Sequence, residues 1–177
     1  MKTLLLSLVV AAIVSAALPA TAEEGKLEIS SAGLAFKFAA PWKAVESTSP
    51  MHAGTLQVAI EGVEQPLKAV FYYFGAGQGG DVDANVNRWY GQFEGEPEKN
   101  REEVKAADKT ITIVKATGTY LDGPAFGQKT PKADYALLGA IVPAAEANVF
   151  IKLTGPKAAV MNVLEDFKKM AASPFAK

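Results

Sequence analysis

The sequence predicts an α+β domain: an antiparallel β-sheet of about six to seven strands with two main helices packed on it. Short runs of alternating apolar residues follow one another with short turns between them, which favours antiparallel pairing. Two other segments have the apolar spacing of amphipathic helices. The chain has 177 residues and contains neither an internal repeat nor a low-complexity linker, so we expect one domain.

The first part of this domain is predicted to consist of strands. Residues 27–38 predict a hairpin that turns near Gly33, and Pro41 ends its second strand because proline cannot donate to a ladder. Residues 55–61 alternate apolar and polar side chains and predict a further strand. Residues 67–74 are apolar on both faces, which indicates a central strand covered on both sides. Tyr72 is the aromatic residue of this strand that we expect to be most available to a ligand.

The two helices have recognisable ends. Asp81 is the predicted N-cap of the first helix, and Gly95 follows its last apolar residue. Pro156 is suited to a first helical position of the second helix, and Pro174 stops it. The apolar stripes that define them are Val82, Val86, Trp89, Tyr90 and Phe93 for the first helix, and Val160, Val163, Leu164, Phe167 and Met170 for the second.

The segment between the helices is predicted to contain three strands. A polar loop extends through Glu103, and residues 109–120 form a long strand with Thr-Ile-Thr-Ile alternation. Residues 121–132 are a loop rich in Gly and Pro. Residues 135–142 and 148–153 then predict a hairpin.

The N-terminus has the layout of a secretory signal peptide. Lys2 precedes an apolar run over residues 4–18, and Pro19 is followed by the small residues that signal peptidase requires. The run is shorter than the roughly 20 residues needed to span a membrane, which favours cleavage over an uncleaved anchor. We expect residues 1–22 to be removed and residues 23–177 to form a periplasmic or extracellular domain of a bacterial protein, without stable membrane insertion.

Composition excludes several classes of function. The chain has no cysteine, which excludes thiol catalysis, thiolate metal sites and iron–sulfur clusters. Its single histidine, His52, excludes a metal site with several histidines. The net charge of −1 is spread over interspersed charges, so binding to nucleic acid is not expected. We therefore predict no metal and no cofactor.

No catalytic constellation is apparent. His52 lies close in sequence to Ser47 and Ser49, but no G-x-S-x-G sequence is present, and an exposed loop histidine is the favoured interpretation. We therefore predict a protein that is not an enzyme and has no catalytic residues.

Two loops are the candidate places for binding. One is the glycine-rich segment that precedes the first helix, and the other follows the long strand. Loops carried by a rigid scaffold are where binding tends to reside. The candidate ligand or partner residues are Gly77, Gln78, Gly79, Asp81, Tyr120 and Asp122.

These loops support hypotheses from different classes. The first is a non-enzymatic accessory protein of the bacterial envelope that binds a partner protein through a sheet edge or these loops. The alternative is a small-ligand-binding protein or weak hydrolase with a site between the 75–81 and 121–133 loops, which requires the two loops to meet. A purely structural envelope component is the third.

The order of elements also resembles a known family. Phe36-Lys37-Phe38 followed by Pro41-Trp42 opens the domain, and the strand Phe150-Ile151-Lys152-Leu153 followed by the last helix closes it near Ser173-Pro174-Phe175. This pattern is similar to the PsbP-like family, whose fold is that of a photosystem II extrinsic subunit and also serves a Ran-binding import factor. The resemblance implies an adaptor or assembly role rather than catalysis. No functional residue of the family matches a position in this sequence.

Overall fold

The computed structural model describes residues 27–124 and 126–176, so the predicted signal peptide and its cleavage point lie outside the described residues. The described chain contains nine strands and three α-helices. The strands are β1 (Glu28–Ser31), β2 (Leu34–Lys37), β3 (Lys43–Val45), β4 (Gly54–Val58), β5 (Leu67–Tyr72), β6 (Glu98–Ala106), β7 (Lys109–Asp122), β8 (Thr130–Pro143) and β9 (Asn148–Pro156). The helices are α1 (Val82–Tyr90), α2 (Lys157–Asn162) and α3 (Leu164–Ala172), and a 3₁₀ helix follows at Ser173–Phe175.

Seven strands form one antiparallel sheet in the order β3-β4-β5-β9-β8-β7-β6. The predicted fold class is therefore confirmed. The predicted N-terminal hairpin is β1–β2, which is a separate two-stranded sheet. Strand β5 is central, between β4 and β9, as predicted. The predicted coverage of both its faces is not found: Val70 and Tyr72 on the second face are only half-buried, and Lys68 is exposed.

Neither edge strand of the sheet was predicted: residues 43–45, which follow the proline expected to end a strand, form β3. Residues 98–103 were expected to be part of a polar loop, but they belong to β6, which pairs with β7 from Glu98 opposite Thr117 to Ala106 opposite Lys109. An edge strand has one paired side and little burial, so its sequence needs no apolar alternation. Its charged side chains are also a usual protection of an edge against pairing with other chains.

The two faces of the sheet have separate cores. On one face, α2, α3 and the β1–β2 hairpin cover a large core that contains Phe36, Phe71 and Phe167, each fully buried. On the other face, α1 covers a smaller core that contains Trp89 and Phe93. The domain is thus three-layered, with α1 alone on the second face.

Helix α1 lies close to the sheet at a glycine. Asp81 is its N-cap, as predicted, and its carboxylate accepts a hydrogen bond of 2.7 Å from the Ala84 amide. The helix ends at Gly91, one turn earlier than expected. The Trp89 ring lies on Gly139 of β8, where a Cβ atom would lie 2.2 Å from the ring. Any side chain on residue 139 would therefore move the helix.

The C-terminal helix is divided. One continuous helix was predicted, but α2 and α3 are separated at Val163, whose φ of −105° and ψ of 5° interrupt the regular helix. Pro156 is the residue before α2, and Pro174 lies in the 3₁₀ helix. The hydroxyl of Ser173 accepts a 2.7 Å hydrogen bond from the Lys37 amide and so joins this end to the β1–β2 hairpin. Among the described residues, no helix is long and apolar enough to cross a membrane.

Candidate functional site

Helix α1 leaves part of its face of the sheet uncovered. It packs mainly against β7 and β8, while side chains of β5 and β9 on the same face remain accessible beside it. The result is a cleft of about 530 Å³ between the end of α1, the end of the β7–β8 hairpin and the two uncovered strands. We call it the Lys152 cleft; its main polar and aromatic lining residues are Tyr72, Arg88, Gln92, Tyr120, Lys129 and Lys152.

Lys152 lies at the base of this cleft. In β9 the side chains alternate between the two faces: Ile151 and Leu153 belong to the larger core, and Lys152 points to the α1 side. Its ammonium donates hydrogen bonds of 2.5 Å to Gln92 Oε1 and 2.9 Å to the Tyr120 hydroxyl. An ammonium has three N–H donors, so one remains for a ligand.

The two partners of Lys152 are brought to it by the curled end of the β7–β8 hairpin. The β7–β8 register shifts between Gly118 and Tyr120. Beyond this irregularity, the Leu121 amide donates a 2.8 Å hydrogen bond to the Gln92 carbonyl. The Tyr120 hydroxyl also donates to Gln92 Oε1 at 3.2 Å, so three residues distant in sequence form one network.

Burial changes the proton affinity of the lysine. Desolvation lowers the pKa of Lys152 from 10.5 to about 8, and the positive charges of Lys129 and Arg88 act in the same direction. The Asp122 carboxylate opposes them and raises this pKa. The amine is therefore cationic at neutral pH but incompletely stabilised.

The pKa of Tyr120 is shifted in the opposite direction from that of Lys152. Burial and then the Asp122 carboxylate raise the pKa of Tyr120 to about 12, so the phenol stays protonated over the ordinary pH range. Burial likewise raises the pKa of Tyr72. Both hydroxyls are therefore neutral groups that serve as hydrogen-bond donors or acceptors, not as anions.

Arg88 is positioned at the cleft by a buried amide. Asn85 is only 2% exposed, and its side-chain nitrogen donates to the Gly79 carbonyl at 2.7 Å and to the Asp81 carbonyl at 2.8 Å. Its oxygen accepts a hydrogen bond from Arg88 Nη2. The glycine-rich loop, the first turn of α1 and the guanidinium are thus joined through one side chain.

The cleft has an excess of positive charge. Of the salt bridges found in residues 27–124 and 126–176, none involves Arg88, Lys129 or Lys152. The Lys129 ammonium instead donates to backbone carbonyls of its own loop, Gly123 at 3.2 Å and Pro124. Cations with unused donors in a concave site are suited to binding an anionic group.

The structure separates the residues proposed from the sequence into two groups. Tyr120 lines the Lys152 cleft, and Asp122 is close enough to influence the pKa of Lys152. The glycine-rich loop lies elsewhere: the Gly77 amide donates to the Glu146 carbonyl at 3.1 Å, in the β8–β9 turn. The side chain of Gln78 is exposed in this loop.

The other two proposed residues have structural roles. The Asp81 carboxylate caps α1, and Gly79 has a φ of +95° with its Cα so near Phe150 that a Cβ atom would lie 2.7 Å from the ring.

A site between the 75–81 and 121–133 loops is not formed. Strand β8 runs from Thr130 to Pro143, so the β7–β8 loop and the β8–β9 turn are at its opposite ends. The glycine-rich loop contacts the β8–β9 turn. The 121–133 loop is instead the β7–β8 connection, at the other end of β8. The expectation that the two loops meet was therefore wrong, because the sequence does not reveal which end of which strand each loop reaches.

The single histidine does not form a triad with its neighbouring serines. The His52 ring packs edge-on against Tyr72, with ring centroids 5.3 Å apart. The Ser47 hydroxyl lies 3.2 Å from that of Thr55, and the Ser49 hydroxyl accepts from the Met51 amide at 3.2 Å.

Most residues of the cleft were missed at the level of sequence. Lys152 was included only as part of a strand, and Arg88 and Gln92 lie within the predicted first helix but outside its apolar stripe. One signal was available for Lys152: it is the only charged residue in the otherwise apolar and neutral strand β9. A lone charge withdrawn from water in an otherwise apolar strand must have partners or a ligand.

The fold defined by these layers is PsbP-like. It is similar to the solution structure of cyanobacterial PsbP (CyanoP) from Synechocystis sp. PCC 6803, with a TM-score of 0.50 and 14% sequence identity over 80% of this chain and 85% of that chain. No protein-family model and no curated protein sequence matches this chain. At this identity the likeness concerns the fold alone.

Proposed function

We propose that the protein is an exported, non-enzymatic accessory protein of the bacterial envelope that binds an anionic group, a carboxylate or a phosphate, in the Lys152 cleft. The observation that carries this proposal is the convergence of Arg88, Lys129 and Lys152 on one cleft of about 530 Å³, with none of them in a salt bridge among the described residues. Clefts of this size are typical of small-ligand sites.

Hydrogen-bonding geometry supports a binding role more than a catalytic one. The Lys152 ammonium already donates to Gln92 and Tyr120, which fixes its position. The Tyr120 phenol is held neutral, because burial raises its pKa to about 12. The cleft thus offers a ligand fixed donors of positive and neutral character.

A titration with acetate and with inorganic phosphate tests this proposal directly. The protein, expressed from the full chain, is followed by amide NMR spectra, and saturable shifts are expected at Gln92 and Leu121. Lys152→Met should abolish them. Lys105→Met, which removes an exposed lysine from the edge strand β6, is the matched control and should leave them unchanged. Shifts that persist in Lys152→Met would contradict the assignment of the site.

The anion has two possible sources, which a second experiment distinguishes. A free metabolite would be retained by the native protein and be released on denaturation, where mass spectrometry identifies it. A carboxylate on a partner protein would instead give a crosslinked complex that is lost in both Lys152→Met and Arg88→Gln.

A partner-binding role through the β7–β8 loop is the second candidate function. Phe126 in this loop is 97% exposed, and aromatic residues presented in this way are frequent anchors of protein interfaces. Phe126→Ser should then remove a crosslinked partner that Lys152→Met retains. Retention of the partner by both variants would exclude both surfaces.

Export is proposed from the N-terminal pattern. A chain recovered from the periplasm or medium should begin at Glu23, which intact-mass measurement determines. A chain of full mass in the membrane fraction would contradict cleavage.

A further inference from the structure

We infer that the ligand of the Lys152 cleft is a monocarboxylate that carries a single aromatic ring, with the carboxylate at Lys152 and Arg88 and the ring in an adjoining pocket lined by Phe74, Trp89 and Phe150. This inference rests on the proposed function and narrows its ligand class.

The adjoining pocket is aromatic. Its lining includes Tyr72, Phe74, Trp89 and Phe150, and we call it the ring pocket. The Tyr72 and Phe74 rings are stacked at 6.3 Å with an interplanar angle of 13°, and the Phe74 ring is 5.8 Å from that of Phe150. Phe74 is nevertheless 38% exposed, so a phenylalanine ring at the mouth of the pocket remains open to solvent.

The size of the ring pocket selects the apolar part of the ligand. Its volume is about 150 Å³. A cavity on the order of 150 Å³ lined by apolar side chains holds one benzene molecule. One ring therefore fits this space. Aromatic walls also favour offset or edge-on packing with a ring over packing with an aliphatic chain.

The ring pocket and the cleft share their polar residues. Arg88, Gln92 and Lys152 line both, so the anionic group and the ring of one ligand must be separated by only a short link. The free N–H of Lys152 and the planar guanidinium of Arg88 suit the two oxygens of a carboxylate. A cationic aromatic ligand is disfavoured because it would meet these two positive charges.

The test compares four probes on the protein expressed from the full chain: phenylacetate, acetate, 2-phenylethanol and phenyl phosphate. Phenylacetate should bind on the order of ten-fold to a hundred-fold more tightly than acetate, because the ring is removed from water. It should also bind more tightly than the neutral alcohol. Intermolecular nuclear Overhauser effects between its ring protons and Phe74 should be observed.

Variants separate the ring from the carboxylate. Phe74→Ala should reduce phenylacetate affinity to near that of acetate and leave acetate binding unchanged. Phe126→Ala, which removes an exposed phenylalanine outside the ring pocket, should alter neither. Because Phe74 is partly exposed, its variant is expected to fold, and circular dichroism checks this.

Each outcome has one meaning. Equal affinities for phenylacetate and acetate would overturn the ring inference and leave the proposed anion site standing. Binding of 2-phenylethanol as tight as that of phenylacetate would overturn the carboxylate, and tighter binding of phenyl phosphate would replace it with a phosphate. If none of the anions binds, both the proposed function and this inference are refuted.

Discussion

Replacing Lys152 by methionine removes the only charged side chain of β9 while approximately conserving its volume. The hydrogen bond from the Tyr120 hydroxyl to Gln92 remains possible, so each of the two groups that Lys152 contacts keeps one hydrogen-bond partner. The variant should be more stable than the natural protein at neutral pH. The reason is that an ammonium withdrawn from water costs free energy that a thioether does not.

The magnitude follows from the pKa of Lys152, which burial lowers from 10.5 to about 8. Each pKa unit corresponds to about 1.4 kcal/mol, so the charged form costs the folded state about 3 kcal/mol relative to the neutral form. The sign follows from proton binding. Between about pH 8 and pH 10.5 the unfolded state binds more protons at this lysine than the folded state, so the free energy of unfolding rises with pH. The cost is complete below pH 8 and is relieved as the pH rises to 10.5.

Urea denaturation at pH 7 and pH 10, followed by the fluorescence of Trp42 and Trp89, measures this effect. At pH 7 the Lys152→Met variant should be more stable by about 1–3 kcal/mol, and this advantage should shrink by about 2 kcal/mol at pH 10. The change with pH matters most, because methionine packing contributes equally at both pH values. Lys105→Met controls for the loss of one positive charge. An advantage that is absent at pH 7 and does not change by pH 10 would refute the view that this ammonium is desolvated.

Three further predictions concern the cleft and the helix beside it. Binding of acetate should weaken as the pH rises above about 8, because Lys152 of the free protein loses its proton there. A titration series from pH 6 to 10 checks this, and an affinity that does not change over this range would show that another group holds the anion. Gly139→Ala should destabilise the protein by about 1–3 kcal/mol because the added methyl group overlaps the Trp89 ring. Urea denaturation measures this loss, and an unchanged denaturation midpoint would mean that α1 moves without cost. Asp81→Ala should lose about 1 kcal/mol with the cap to the Ala84 amide, whereas Asp81→Asn should retain most of it; equal losses in the two would argue against capping.

Much of the fold could be predicted because it depends on local patterns. The apolar stripe of α1 and its Asp81 cap involve residues within a few turns of one another. The two apolar faces of β5 indicated a central strand, which its position between β4 and β9 confirms, but the expected coverage of both faces was wrong, because only one face is fully buried. Strand β6 was missed because an exposed, charged edge has no such pattern.

The candidate site could not be predicted in the same way. Lys152, Gln92 and Tyr120 meet only because β9 lies in the middle of the sheet and the β7–β8 hairpin curls over the end of α1. Neither the strand order nor the register shift after Gly118 has a local sequence signal. Tyr72, which the strand pattern indicated as available, does line the cleft, because orientation along a strand is a local property.

The position of β9 between β5 and β8 also constrains how the chain acquires its structure during synthesis. The seam between β5 and β9 joins Lys68 to Thr154, so the apolar strand β5 has an open side until nearly the whole chain has emerged. Contacts this distant in sequence form slowly, and an unpaired strand of this kind is exposed to aggregation in the meantime. A chain that stopped before Asn148 would leave two separate sheet fragments, because β9 is the strand that joins β5 to β8.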